Sequence, residues 1–250
     1  MTRLLLFLFM YSVTVGFACR PVNLKNCSYQ ECLMKLKSYP QEVLVLVPES
    51  SESVRIHFHG FILGLYPEYE TTLPGMIQAF NLESRICQSK EVVIVPRSLG
   101  KCETFEETFT SSESVRSLLS ELNLTGLPLH LSAHSGGGKT LARLLRTDLQ
   151  VNRISLFDAL YGQTEKNNVA RWYRQVQGKM RLVSVKETSP NRWMNELIRD
   201  LGARVQTSEQ SQRGISYEVQ LGSRLIHLSR PAGPEGSLRA HYQVLRETWE

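Results

Sequence analysis

One serine in this sequence stands in a setting suited to nucleophilic chemistry. In LPLHLSAHSGGGKTLARLL (127–145), a short apolar run leads into Ala133-His134-Ser135-Gly136-Gly137, and an amphipathic stretch follows. A serine on a sharp strand-to-helix turn holds its hydroxyl clear of the backbone. The residues two before and two after it must be small, because the chain folds tightly on itself there. Ala133 stands where glycine is more usual, a mild departure. The N-terminus of the following helix would offer oriented N–H groups to an oxyanion.

The same segment admits two other readings. Small residues flank serines often, so one alternative is a glycine-rich loop that merely starts a helix. The other is a relaxed phosphate loop, with Ala133 in place of its first glycine and Gly138-Lys139-Thr140 at its end. ISLFD (154–158) even imitates the apolar strand and magnesium-binding aspartate of such proteins. That reading ranks lower: at least three strands precede the loop, and it gives no role to His59 or His241.

A serine nucleophile needs a base, and the base needs an orienting acid. Asp158 directly follows an apolar run, at a strand end on the rim where parallel sheets build their sites. It can accept a hydrogen bond from an imidazole, although an aspartate there can also cap the next helix. Among six histidines (57, 59, 130, 134, 227 and 241), His130 and His227 lie inside strand-like runs and read as structural. His241, at a loop-to-helix junction in RAHYQVLRETW after the last strand, is the natural base. Glu187 in SVKETSP, one strand later than Asp158, is the alternative acid.

The elements that must position these groups follow from patterning. Short apolar runs at 43–47, 54–58, 92–95, 129–131, 154–157 and 180–185 read as strands, and 217–221 with 225–228 as a hairpin or sheet edge. Helical patterns at 112–122, 141–149, 165–176 and 191–201 fall between them. Such alternation implies an α/β fold: a mostly parallel sheet flanked by helices on both faces. Expected boundaries are a leader at 1–18, an N-terminal segment at 19–40 and one domain at 41–250.

The motifs HFHGF (57–61), SAHSGGG (132–138), FDALYG (157–162) and AHYQVL (240–245), spread over residues 40–250, resemble the α/β-hydrolase superfamily, in a poorly characterised bacterial branch. The order Ser135, Asp158, His241 is that superfamily's order of nucleophile, acid and base. The resemblance implies a serine hydrolase in which the backbone N–H groups of Phe61 and Gly136 form an oxyanion hole, supported by His59 and Gly60. Asp158 departs from many members, which carry the acid one strand later. A superfamily of this breadth implies a reaction type and no substrate.

Residues 1–18 combine one positive charge (Arg3), about 14 apolar residues and small residues at Gly16 and Ala18, the pattern of a secretory signal peptide. The expected location is secreted or periplasmic. Cys19 directly after the cleavage point suggests a lipid anchor, hence a membrane tether. Of the five cysteines, Cys87 and Cys102 are the expected disulfide because they bracket one strand, and a small-loop Cys27–Cys32 bridge is a second option.

Composition bounds the rest. With 250 residues, 42% hydrophobic and 21% charged, the chain suits a globular domain. The excess of 29 basic over 24 acidic residues includes no run of five or more, which argues against nucleic acid as partner. The expectation is a serine hydrolase (esterase- or amidase-like) acting on a small molecule or on cell-wall or peptide material, with no metal or cofactor. The alternative is a catalytically inactive hydrolase-fold surface binding protein.

Overall fold

A computed structural model of the chain describes residues 18–24, 27–60, 72–79, 82–99, 102–212, 215–234 and 236–249. Residues 1–17 of the expected leader and Phe61 therefore lie outside the described residues.

The fold is built on an 11-stranded sheet. Its centre comprises β4 (Ser53–Phe58), β5 (Glu91–Pro96), β6 (Leu129–His134), β7 (Arg153–Phe157), β8 (Lys179–Val185) and β11 (Leu225–Arg230). These lie in the order β5-β4-β6-β7-β8-β11 and are all parallel. On the β5 side, β3 (Glu42–Pro48), β2 (Cys27–Lys35) and β1 (Ala18–Leu24) add on antiparallel. On the β11 side, β10 (Ile215–Leu221) and β9 (Gln206–Gln212) do the same. The sheet is therefore mixed, not mostly parallel. Only strands joined through helices can run parallel, and both ends of the chain order contain tight hairpins instead.

Helices cover both faces. One carries α3 (Glu103–Thr108), α4 (Ser112–Glu121), α5 (Gly137–Leu144), α6 (Gln163–Val176) and α7 (Ser189–Asp200), which pack Phe105, Val115, Leu141, Val169 and Met194 onto Val54, Ile56, Leu131 and Ile154. The other carries α1 (Leu73–Ala79), α2 (Glu83–Ser89) and α8 (Gly236–Thr248). Strand alternation turns Arg55, His57, His130, Ser132 and Ser155 away from the first core. They form a buried polar layer on the α8 side. Arg55 Nε donates to Glu91 Oε2 at 2.6 Å, His130 Nδ1 to Glu91 Oε1 at 3.0 Å, and His130 Nε2 lies 3.0 Å from Ser155 Oγ. Trp249 closes this layer, 4.5 Å from the Arg55 guanidinium and edge-on to His57 at 4.9 Å.

Residues 19–40 supply β1 and β2 of the same sheet. The disulfides are Cys19–Cys32, between directly paired residues of β1 and β2, and Cys27–Cys87, which ties β2 to α2. Both expected pairings are corrected for one reason. Cys27 and Cys32 are five positions apart on one strand, so they face opposite sides of the sheet. Cys87 packs in the α8-side core and Cys102 in the other. Cys102 takes part in neither disulfide; it is 1% exposed and its thiol donates to the His59 carbonyl at 3.4 Å.

Candidate active site

Ser135 directly follows β6 with φ +51°, in the left-handed region that a non-glycine residue rarely occupies. Its N–H donates to the Phe157 carbonyl at 3.2 Å, and its carbonyl accepts from Gly138 N–H at 3.0 Å, which closes the turn into α5. The glycines here are needed for close approach. A Cβ on Gly137 would lie 2.2 Å from the Phe58 carbonyl oxygen, and one on Gly138 would lie 1.7 Å from that of Ala159. The first turn of α5 is thus wedged between the ends of β4 and β7. Of the phosphate-loop residues, Lys139 is exposed and Thr140 is fully buried, which does not suit a hydroxyl meant for a magnesium ion.

Asp158 follows β7 and also has positive φ (+46°). Its carboxylate is buried and held from β8. Oδ1 accepts the Val185 N–H at 3.3 Å and has the Thr188 hydroxyl at 3.2 Å, while Oδ2 receives His241 Nδ1–H at 2.5 Å. Thr188 is itself the N-cap of α7, with its Oγ1 accepting from Asn191 N–H. His241 lies inside α8, as its sixth residue, rather than at a loop junction. Glu187 is exposed, and the carboxylate on the His241 ring belongs to Asp158.

His134 connects the two halves of the site. Alternation along β6 points its ring to the α8 side, where Nε2–H donates to the His241 carbonyl at 2.8 Å and the two rings approach to 4.7 Å. Burial and the neighbouring His241 hold His134 well below the ordinary histidine range, so it stays neutral. The bond to Asp158 fixes the His241 tautomer and leaves Nε2 with its lone pair. Among the described residues, Ser135 Oγ makes no hydrogen bond to His241. Its polar neighbour is the Tyr161 hydroxyl, 3.5 Å away.

His59 buttresses the turn after β4. Its Nδ1–H donates to the Gly60 carbonyl at 2.7 Å and Nε2 accepts the Ser98 N–H at 3.0 Å. Both ring nitrogens are occupied, and burial pushes the ring down to about 4, so it is a fixed neutral strut. Gly60 lies against the elbow: a Cβ there would stand 2.6 Å from Ser135 Cβ. Gly136 occupies the N-cap position of α5, where backbone N–H groups lack intrahelical partners. His134, Tyr161 and Thr188 were not singled out by sequence pattern. The only signal was their adjacency to Ser135, Asp158 and Glu187.

No protein-family model matches the sequence, and no curated protein matches it. Solved structures do match in shape. One is a cold-adapted esterase from an Arctic intertidal metagenomic library, with 11% identity and TM-score 0.52 over 93% of this chain and 100% of that one. Another is a CE15 glucuronoyl esterase from Teredinibacter turnerae, with 10% identity and TM-score 0.50 over 94% of this chain and 77% of that one. The chain has an α/β-hydrolase fold.

Proposed function

We propose that this protein is a serine hydrolase cleaving ester or amide bonds. Ser135 is the nucleophile, His241 the base and Asp158 the residue that orients it. The observation that carries this reading is the Asp158–His241 hydrogen bond at 2.5 Å, together with a serine held at positive φ on a strand-to-helix turn. In the reaction, Ser135 Oγ attacks the carbonyl carbon while His241 Nε2 takes its proton. The Gly136 N–H and the backbone N–H after Gly60, that of Phe61, receive the oxyanion. His241 then returns the proton to the leaving group, and water repeats the sequence to free Ser135. Export through the leader at 1–18 accompanies this reading, and the two disulfides support an oxidising compartment.

A second reading, a hydrolase fold that binds without turnover, is favoured by one observation: the Ser135 hydroxyl faces Tyr161 and not His241. A fluorophosphonate probe separates the two, since only an activated serine is modified. Wild-type protein is expected to label and Ser135→Ala to stay unlabelled but folded, with hydrolysis lowered at least about 10³-fold. Lys139→Ala should label normally. An unlabelled wild type supports the binding reading.

A further inference from the structure

We propose that the Tyr161 hydroxyl is a catalytic group that hydrogen-bonds the departing alkoxy oxygen of an ester substrate. This rests on the hydrolase reading above and assigns the residue that handles the alcohol side of the bond. The position follows from strand order. Ser135 directly follows β6; Gly60 follows β4 and Tyr161 follows β7, and these strands flank β6 on opposite sides. In the hydrolase reading one oxyanion donor is the N–H that follows Gly60, after β4, and the other is that of Gly136. The carbonyl oxygen of a bound ester therefore turns toward β4, and another substituent of the same carbon must turn toward β7.

That side holds His241, fixed by Asp158 at the end of β7, and the leaving oxygen must lie there because His241 protonates it. The Tyr161 hydroxyl is already 3.5 Å from Ser135 Oγ. An alkoxy oxygen bonded to the carbon that Oγ attacks comes to rest in the space beside Oγ, within the roughly 2.7–3.1 Å shell of a donor so placed. Tyr161 keeps 37% of its surface exposed, so the ring stands at the rim and remains accessible to substrate. Burial of the phenol and the Asp158 charge raise its pKa, so the hydroxyl retains its hydrogen at neutral pH. As the tetrahedral intermediate collapses, the carbon–alkoxy bond breaks and its electron pair goes to the alkoxy oxygen. His241 Nε2–H delivers the proton. Tyr161 donates a hydrogen bond to the developing negative charge and keeps its own proton.

Leaving-group dependence tests this. Two esters with the same acyl group are compared, one of a simple alkyl alcohol and one of an activated phenol such as p-nitrophenol. The parameter is kcat/KM, which reports acylation. An alkoxide needs help to leave and a nitrophenolate needs little. Tyr161→Phe should thus lower kcat/KM by about 30-fold or more for the alkyl ester and by only about 3-fold for the aryl ester, on the scale of general acid assistance. A shared loss of equal size marks a structural or oxyanion role and overturns the assignment, as does the absence of any loss. Tyr161→Phe whose circular dichroism and denaturant midpoint match wild type establishes that the fold persists in the variant. Wild-type protein that neither labels nor cleaves either ester removes the hydrolase reading, and this inference with it. Wild-type protein that labels leaves that reading standing whichever way Tyr161→Phe behaves.

Discussion

Both oxygens of Asp158 are engaged, Oδ2 by His241 and Oδ1 by the Val185 amide and the Thr188 hydroxyl. A buried carboxylate held at three points cannot swing, so it sets both the tautomer and the angle of the imidazole. Asp158→Asn preserves the shape but allows the amide NH₂ to face Nδ1, which places the His241 hydrogen on Nε2, the wrong nitrogen for a base. Its kcat is expected to fall by about 10⁴-fold with unfolding midpoint little changed. Comparable ester turnover by this variant and wild type would remove Asp158 from the proposed triad. At this scale the sequence offered Ser135, Asp158 and His241 as candidates through chain order and residue type. It did not show Tyr161 or His134. Their roles depend on which way a side chain points from a strand end, and no spacing rule encodes that.

Among the elements, α5 sets the tightest steric condition. Its first turn touches backbone, and backbone carbonyls cannot move aside as side chains can. Gly137→Ala would place a Cβ 2.2 Å from the Phe58 carbonyl oxygen, whereas Gly126→Ala meets nothing within 4 Å. The Gly137 variant should lose about 1–3 kcal/mol or more of stability. The Gly126 variant should stay within about 0.5 kcal/mol of wild type in denaturant unfolding. Equal midpoints for the two would show that α5 is free to shift. The eight strands with apolar runs were legible because buried strands need such runs. β9, QTSEQSQ, was not: residues 206–211 are exposed and, among the described residues, the strand pairs with β10. Its polarity suits an edge strand, where apolar residues would invite further pairing. β1, with Pro21, lies at the other edge for the same reason. α8 was legible only from about His241 onward, its first turn masked by the glycine- and proline-containing approach; it is anchored at its far end by Glu247 to Arg230 and Tyr217.

At the scale of the whole molecule, the fold keeps several histidines neutral by burial. Burial pushes His130 down to about 3, and His59 and His227 to about 4; His57 and His134 are also held well below 6.5. His57 Nδ1 is satisfied by Ser132 Oγ at 3.0 Å and His227 Nε2 by Ser184 Oγ at 3.1 Å, so these rings contribute hydrogen bonds in the uncharged form. The sign of the pH effect follows. The unfolded chain takes up protons at these sites below about pH 6.5 and the folded chain does not, so their stabilisation is complete above 6.5 and is lost as pH falls toward 4 and 3. Glu91 acts later in the same direction. Burial pushes its carboxyl up, but the His130 hydrogen bond and the Arg55 charge outweigh this and hold it down to about 2, so its contribution disappears between 4.5 and 2. Each histidine at full slope removes about 1.4 kcal/mol per pH unit. Two such sites together would consume a large part of the roughly 5–15 kcal/mol that holds a domain together within a few pH units. Denaturant midpoints measured from pH 8 to 4.5 are expected to be level above about 6.5 and to fall steeply below it, and His130→Gln should lessen that fall. A flat profile down to pH 4.5 would mean that the buried histidines accept protons without unfolding.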